Sequence, residues 1–153
     1  QLRFGDRISY EIQVQEEIDT GKTAMIPLLM QPLIENAILH GLEEKEAGGM
    51  VRISITKEKL LADPASDYAL MISISDNGCG MDEQALAELK QHMEHASKDK
   101  RSIGLYNVNQ RIHLSYGAPY EMRIISQKGI GTAITLVLPY ISITETEEND
   151  GKF

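Results

Sequence analysis

The stretch 76–81, Asp-Asn-Gly-Cys-Gly-Met, combines a carboxylate with two glycines in a few residues of chain. It follows the segment 69–75, in which every second residue from Leu70 onward is apolar, as in a half-buried strand. Asp76 continues that register, so the sequence predicts a strand that carries a carboxylate to the rim of an apolar surface. A carboxylate acceptor beside bare glycine backbone suits a flat heteroaromatic ligand with an exocyclic amine. A strand-end turn would use the same residues.

A second group of polar residues lies on a helix predicted from about Pro27 to Gly41. Asn36 and His40 are four residues apart and are therefore neighbours on the helix surface, on the same half as Glu35. Pro32 falls within the pattern, where it predicts a kink or a later start of the helix. The opposite half of the helix is apolar and comprises Met30, Leu33, Ile34, Ala37, Ile38 and Leu42.

A third candidate is the start of a helix predicted over Ser102–Tyr116, which stops at Gly117. Its first residues, Ser102-Ile103-Gly104-Leu105, offer free N–H groups and a positive dipole end to an anion. The polar segment 94–101 precedes it and contains Lys98, Lys100 and Arg101. We expect this segment to be a mobile lid that brings cations over an anionic ligand, although a solvated loop would have the same composition.

The remaining elements complete one domain, which is the usual expectation for 153 residues. Alternation predicts a strand over 8–14 with one wet face, and a strand with Val51, Ile53 and Ile55 inward. Asp82 is the expected N-cap of a short helix, and segments 120–127 and 132–140 form a closing hairpin. We expect residues 142–153 to be a disordered acidic tail.

Composition excludes several function classes. The net charge of −8 argues against nucleic acid as a partner, and the single cysteine excludes an internal disulfide. No apolar run approaches the ~18 residues of a membrane span, so we expect residues 1–153 to be soluble. Cys79 between glycines could be redox-sensitive, but a tolerated small residue is the simpler interpretation. His92 and His95 lack the further ligands of a metal site.

Four motifs in order resemble the boxes of the GHKL superfamily, which includes DNA gyrase, the ninety-kilodalton heat-shock chaperone, histidine kinases and MutL. Residues 32–41 look like its N box, and 76–81, 102–108 and 129–132 look like its three glycine boxes. The residues of the N box, together with Gly-Leu-x-Asn-Val-x-x-x-Arg at 104–111, are most similar to the corresponding motifs of sensor histidine kinases of the LytS/YesM type. The resemblance covers about residues 5–140.

The resemblance implies an α/β (α+β) two-layer sandwich, with a mixed, mostly antiparallel sheet packed against about three helices, over residues 1–141. It also implies that ATP and Mg²⁺ bind there. Asp76 would accept from the adenine amino group, Asn36 would bind the metal, and Thr132 would join Asp76 around the adenine. Gly104 and Leu105 would present N–H groups to the phosphates. The full set of implied ATP-binding residues is Asn36, Asp76, Gly78, Gly80, Met81, Lys100, Ser102, Ile103, Gly104, Leu105 and Thr132.

Three departures from the family pattern bear on catalysis. Ser102 replaces a common glycine, and Leu39 replaces a lysine, so phosphate charge would be met by His40 or by the basic end of the 94–101 segment. Pro32 occupies the position of the glutamate that activates water in hydrolytic members, which favours a kinase over a fast ATPase. Glu35 and His40 are then the candidate catalytic residues.

The resemblance therefore implies the ATP-binding catalytic domain of a bacterial two-component sensor histidine kinase. The γ-phosphoryl group would pass to a histidine on a separate domain preceding Gln1, and the full protein would be a membrane-anchored homodimer with this domain in the cytoplasm. A cognate response regulator would be its partner. Two alternatives stay open: a GHKL ATPase that couples hydrolysis to conformational change, and an anti-sigma-type serine kinase.

Overall fold

A computed structural model of the chain describes residues 8–24, 28–43, 45–60, 68–94 and 100–142, with the backbone alone at 24, 94, 100 and 101. Seven strands and three α-helices occupy these ranges. In chain order they are β1 Ile8–Val14, β2 Thr23–Ala24, α1 Met30–Asn36, β3 Gly49–Glu58, β4 Ala69–Asp76, α2 Glu83–Glu94, α3 Lys100–Tyr116, β5 Glu121–Gln127, β6 Gly131–Pro139 and β7 Ile141–Ser142.

The main sheet has five strands in the order β1-β3-β4-β6-β5. Only β1 and β3 run parallel, and the other three neighbouring pairs are antiparallel. The predicted mixed, mostly antiparallel sheet is therefore confirmed. In β4, Leu70, Ile72 and Ile74 are at most 2% exposed, and Asp76 follows them in register opposite Thr132 of β6. As predicted, β4 carries the Asp76 carboxylate to the rim of its apolar face.

The helices form the second layer and share one core with the sheet. α3 packs against α1, α2 and β5, and it buries Leu105, Val108 and Ile112. It ends at Gly117, which has a positive φ of 66°. Leucine and isoleucine side chains at a 3.6-residue spacing give each helix one apolar stripe, and that stripe needs the sheet as its partner. The expected two-layer sandwich is the observed architecture.

The N-box helix begins later than predicted and changes its winding. α1 starts at Met30 instead of Pro27, so Pro32 lies in the first turn, where its missing N–H leaves no hydrogen bond unmade. From Ala37 to Gly41 the chain continues as a π-helix, and the N–H of Leu42 donates to the carbonyl of Ala37. Such wide turns often occur at functional sites.

The predicted start of the third helix is wrong by two residues, since α3 begins at Lys100. The N–H groups that a helix leaves unpaired belong to its first four residues, here 100–103. Gly104 and Leu105 therefore lie inside the helix, where their N–H groups follow the regular hydrogen-bonding pattern. Most of the expected lid, 95–99, and almost all of the expected acidic tail, 143–153, lie outside the described residues.

The first strand differs from its prediction on its apolar side. Tyr10, Ile12 and Val14 are 48%, 56% and 38% exposed, so neither face of β1 is well buried by the described residues. The reason is its position, because β1 is an edge strand that pairs with β3 alone in the sheet. None of the helices in the described ranges is long and apolar enough to cross a membrane.

Candidate functional site

A narrow cleft lies between the N-box helix and the loop that follows Asp76. Its cavity volume is about 20 Å³, well below the range of roughly 300–1,000 Å³ typical of small-molecule sites. Three parts of the chain that are distant in sequence meet here, namely the end of α1 with its π-helical turn, the loop after Asp76 and the start of β6, and α2 adds Leu89 to the lining. The lining residues are Asn36, His40, Gly41, Cys79, Gly80, Met81, Leu89 and Thr132.

The glycine loop, defined here as residues 77–81, is fixed by backbone contacts that only glycine permits. A Cβ on Gly78 would overlap the carbonyl oxygen of Gly41, and a Cβ on Gly80 would overlap that of Gln127. Gly80 also has a positive φ of 60°. The loop is thus held between the N box on one side and the β5–β6 hairpin on the other, and no side chain separates them.

Backbone hydrogen bonds connect the same three parts. The N–H of Cys79 donates to the carbonyl of Gly41 at 3.0 Å, and the N–H of Gly129 donates to the carbonyl of Cys79 at 2.6 Å. Asn77 ties the end of β4 to the start of β3, since its Oδ1 accepts from the N–H of Met50 at 2.9 Å. Asn77 is therefore structural, and the loop presents a rigid backbone surface to the cleft.

Asp76 lies behind this surface, packed against Gly41. Its Oδ1 accepts from the N–H of Gly78 at 2.8 Å. Burial raises the pKa of the Asp76 carboxyl above its ordinary value, and the N–H groups of Gly78 and Thr132 and the charge of Lys45 only partly oppose that rise. A carboxylate kept in such a position has a lone pair available for a further donor, which a ligand amine can supply.

Asn36 supplies a second acceptor. Its Oδ1 is buried and is the single buried side-chain oxygen or nitrogen without a hydrogen-bond partner in the described part of the chain. An orphaned amide oxygen costs free energy unless a ligand or cation pairs with it. An amide oxygen is also a ligand that Mg²⁺ accepts, so Asn36 fits the metal-binding role that the sequence predicted. The described residues contain no cluster of three or more His, Cys, Asp or Glu side chains suited to a metal.

Thr132 forms the third acceptor group, and it belongs to a hydroxyl network that the sequence did not reveal. Its Oγ1 lies 2.8 Å from the Oγ of Ser126 on β5, directly opposite in the hairpin. Ser126 Oγ also accepts from the N–H of Met81 at 2.9 Å. The last residue of the glycine loop and the third box are therefore joined through one serine.

Several predicted site residues lie elsewhere. Glu35 is exposed, accepts from the Gln31 amide at 2.8 Å and lines a separate groove with Pro32 and Arg111. Ser102 and Leu105 are each 1% exposed, so their side chains belong to the interior. Of the two candidate catalytic residues, only His40 lines the cleft.

The rest of the second box also stands apart from the cleft. Ile103 is 41% exposed, and a Cβ on Gly104 would lie 3.4 Å from the Cβ of Pro32. The second box therefore packs against the N box at this point, which gives Gly104 a role in helix contact. The side chain of Lys100 lies outside the description.

Sequence reasoning missed four residues at the site. They are Gly41, which packs against Asp76, Leu89 in the lining of the cleft, Lys45, whose charge acts on the Asp76 carboxyl, and Ser126. The hairpin was predicted over 120–127 and 132–140 without a register, and the structure places Ser126 opposite Thr132. Leu89 gave no signal, since it reads as one more core residue of α2. Lys45 lies on a loop whose path the sequence pattern does not specify.

Three acceptor groups, a rigid glycine backbone and a mixed sheet backed by helices define a nucleotide-binding α/β sandwich domain. The profile of the histidine kinase-, DNA gyrase B-, and HSP90-like ATPase family matches residues 11–142. The chain belongs to this family of ATP-binding domains, which confirms the resemblance carried by its four boxes.

Within the family, the chain is similar to several sensor kinases. The chain is 34% identical over 139 residues to the sensor histidine kinase YesM of Bacillus subtilis, covering 90% of this chain and 21% of that protein. It is 33% identical over 141 residues to the sensor protein LytS of Oceanobacillus iheyensis, covering 92% and 22%. The sensor histidine kinase YpdA of Escherichia coli is 31% identical over 140 residues, covering 91% and 21%. The chain thus spans about a fifth of the length of these relatives.

A solved structure shows the same fold. The histidine kinase domain from the blue-light activated histidine kinase EL346 of Erythrobacter litoralis superposes with a TM-score of 0.54 at 16% identity. The match covers 87% of this chain and 52% of that one.

Proposed function

We propose that this chain is the ATP-binding catalytic domain of a two-component sensor histidine kinase. Its role is to hold ATP with Mg²⁺ and to present the γ-phosphoryl group to a histidine on a separate phosphoacceptor domain. This assignment is supported by the similarity to the sensor kinases, by Asn36 and Thr132 in the lining of the cleft, and by Asp76 packed against Gly41 behind it. As in those relatives, the domain would be one part of a longer protein.

One observation carries the proposal, the buried and unpartnered Oδ1 of Asn36 in the cleft. In a protein that only needed to fold, an apolar residue would serve better at that position. A bound magnesium ion would supply charge neutralisation between the phosphates, which is the main demand of phosphoryl transfer. Asn36 would orient that ion, and Asp76 and Thr132 would fix the other end of the nucleotide.

The remaining residues of the cleft have supporting roles in this proposal. The backbone of Gly80 and its neighbours in the glycine loop would pack closely against the purine, and Met81 would add an apolar contact to it. His40 projects from the π-helical turn and adds a polar group to the phosphate end. Glu35 lies outside the cleft, so a role for it requires the acceptor domain to approach over α1.

The longer protein would be a membrane-anchored dimer with this domain on the cytoplasmic side, and a response regulator would receive the phosphoryl group. These are proposals by analogy to sensor kinases. An acceptor histidine supplied by another domain also explains why the cleft needs no nucleophile of its own.

The first test is calorimetric titration of ATP with and without Mg²⁺. Asn36→Ala should remove the magnesium-dependent part of the affinity, because the metal loses its protein ligand, while the fold remains intact by circular dichroism. Gln31→Ala is the matched control, since it removes an exposed amide from the same helix at a position away from the cleft. Equal magnesium dependence in Asn36→Ala and wild type would overturn the metal assignment.

The second test uses γ-labelled ATP. The chain alone should acquire no label and should hydrolyse ATP slowly, since Pro32 stands where hydrolytic relatives carry glutamate. Addition of a helical segment that bears the phosphoacceptor histidine should produce an acid-labile phosphoryl label. Rapid hydrolysis or self-labelling by the chain alone would favour a self-sufficient ATPase or kinase.

A further inference from the structure

Three hydrogen bonds converge on Ser126 Oγ, a half-buried oxygen behind the cleft wall. It accepts from the N–H of Met81 at 2.9 Å, donates to the carbonyl of Gly131 at 3.1 Å and lies 2.8 Å from Thr132 Oγ1. A serine hydroxyl has one proton and two lone pairs. The Gly131 carbonyl can only accept, so it takes that proton. With that proton on the Gly131 carbonyl, the Thr132 hydroxyl donates to Ser126, which is one of the two directions that their 2.8 Å contact allows.

This proton count determines what Thr132 offers to a ligand. Its only proton is used toward Ser126, so the lone pairs of Oγ1 are what remains for the cleft. Asp76, the neighbour of Thr132 across the β4–β6 pair, is also an acceptor when ionised. Thr132, which lines the cleft, and Asp76, which is packed against Gly41 behind the glycine loop, therefore both accept hydrogen bonds.

We infer that Ser126 is a positioning residue that orients the Thr132 hydroxyl as an acceptor and thereby helps the site prefer a purine with an amino group at position 6 over one with a carbonyl. The inference rests on the proposed ATP binding. A 6-amino group can donate to such a site, whereas a 6-carbonyl meets lone pairs only. Ser126 Oγ also accepts a hydrogen bond from the N–H of Met81, so the same oxygen connects the glycine loop to Thr132.

Ser126→Ala removes the acceptor of the Thr132 proton. The Thr132 hydroxyl can then rotate and donate to a ligand carbonyl. The measured quantity is the ratio of the dissociation constants of inosine triphosphate and ATP, which differ in the carbonyl and amine at position 6. We expect this ratio to fall about two- to tenfold in Ser126→Ala, the factor that one neutral hydrogen bond supplies. A purely structural role would weaken both nucleotides equally and leave the ratio unchanged.

Three further variants make the test specific. Ser126→Thr keeps the oxygen and should keep the wild-type ratio. Thr132→Val should lower the ratio, and the double variant with Ser126→Ala should lower it no further, because both changes remove one coupled device. Ser73→Ala is the matched control, since Ser73 Oγ accepts from Thr135 Oγ1 at 3.3 Å in a similar hydroxyl pair on the opposite face of the sheet.

The outcomes separate this inference from the proposed function. Failure of wild type to bind ATP would overturn the proposed function. Binding of ATP with a preference over inosine triphosphate that survives in Ser126→Ala would overturn the positioning role alone. Should Ser126→Ala fail to fold, the ratio in Thr132→Val and in Ser126→Thr decides the question, since the inference requires the first to lose the preference and the second to keep it.

Discussion

Two aspartates flank the glycine loop, and the structure treats them in opposite ways. Asp76 ends β4, is packed against Gly41, and has a raised pKa because burial removes its carboxyl from water. Asp82 immediately precedes α2 and is exposed, and its Oδ1 accepts from the N–H of Ala85 at 2.9 Å. This N-cap bond and the nearby Lys128 lower the pKa of Asp82.

If the proposed function holds, the comparison distinguishes a residue that binds a ligand from one that stabilises the fold. The charge of Asp82 is stabilised where it stands, as expected for an N-cap. The charge of Asp76 is disfavoured in the free protein, so folding alone gives no reason to keep it. Under the proposed ATP binding, a donor group of the ligand would provide that reason, in line with the frequent occurrence of unfavourably placed charges at functional sites.

We expect the largest effect on ATP binding and stability from a substitution in the glycine loop, which lies between the two aspartates. Gly80→Ala should severely weaken ATP binding and should cost roughly 1–3 kcal/mol of stability or more, because its Cβ would overlap the carbonyl of Gln127. Thermal unfolding and calorimetric titration measure the two effects.

Gly129→Ala is the matched control for this substitution. Gly129 has a positive φ of 79°, close to the 60° of Gly80, but a Cβ there would meet no atom within 4 Å. Gly129→Ala therefore carries the backbone strain without the overlap, and it should affect ATP binding far less. Similar losses in the two variants would show that backbone strain, not close approach, governs the loop.

The second prediction concerns ATP affinity at the aspartates themselves. Asp76→Asn should weaken ATP binding about tenfold or more, since a hydrogen bond to a charged acceptor contributes roughly 1.5–3 kcal/mol. Asp82→Asn should leave the affinity close to that of wild type, because Asp82 caps a helix outside the cleft. Calorimetry on both variants, with GTP as a poorly bound competitor, is the measurement. Equal losses in the two variants would remove the distinction drawn here.

The five strands of the main sheet and the carboxylate end of β4 could be predicted from sequence because alternation is a local property. Leu70, Ile72 and Ile74 determine their own face, and Asp76 follows by counting. The N box and the glycine boxes predicted the family by resemblance, and the match over residues 11–142 confirms the family.

What the sequence could not supply is contact between distant parts of the chain. Nothing local shows that Gly78 faces the carbonyl of Gly41 or that Gly131 faces that of Asp76. The start of α3 was missed because Lys100 and Arg101 read equally well as loop residues. The exposure of Ile12 depends on strand order, which alternation cannot reveal.

The smallest expected effect concerns stability against pH, and it should have opposite signs at the two aspartates. A raised pKa means that Asp76 binds its proton more tightly in the folded protein than in the unfolded chain. The contribution of this group to the free energy of unfolding therefore falls as the pH rises from about 3.8, its ordinary pKa, through its folded pKa. Asp76→Asn should therefore be somewhat more stable than wild type at neutral pH, and the difference should vanish in acid.

The reverse holds for Asp82, whose lowered pKa means that its contribution is present above 3.8 and is lost as pH falls through the folded value. Asp82→Asn should be slightly less stable than wild type at neutral pH, and only slightly because asparagine is also a good N-cap. Urea unfolding of both variants and wild type at a series of pH values from acid to neutral gives the two difference curves. Loss of stability at neutral pH in Asp76→Asn would mean that its hydrogen bonds to Gly78 and Thr132 outweigh the burial of its charge, and that Asp76 supports the fold as Asp82 does.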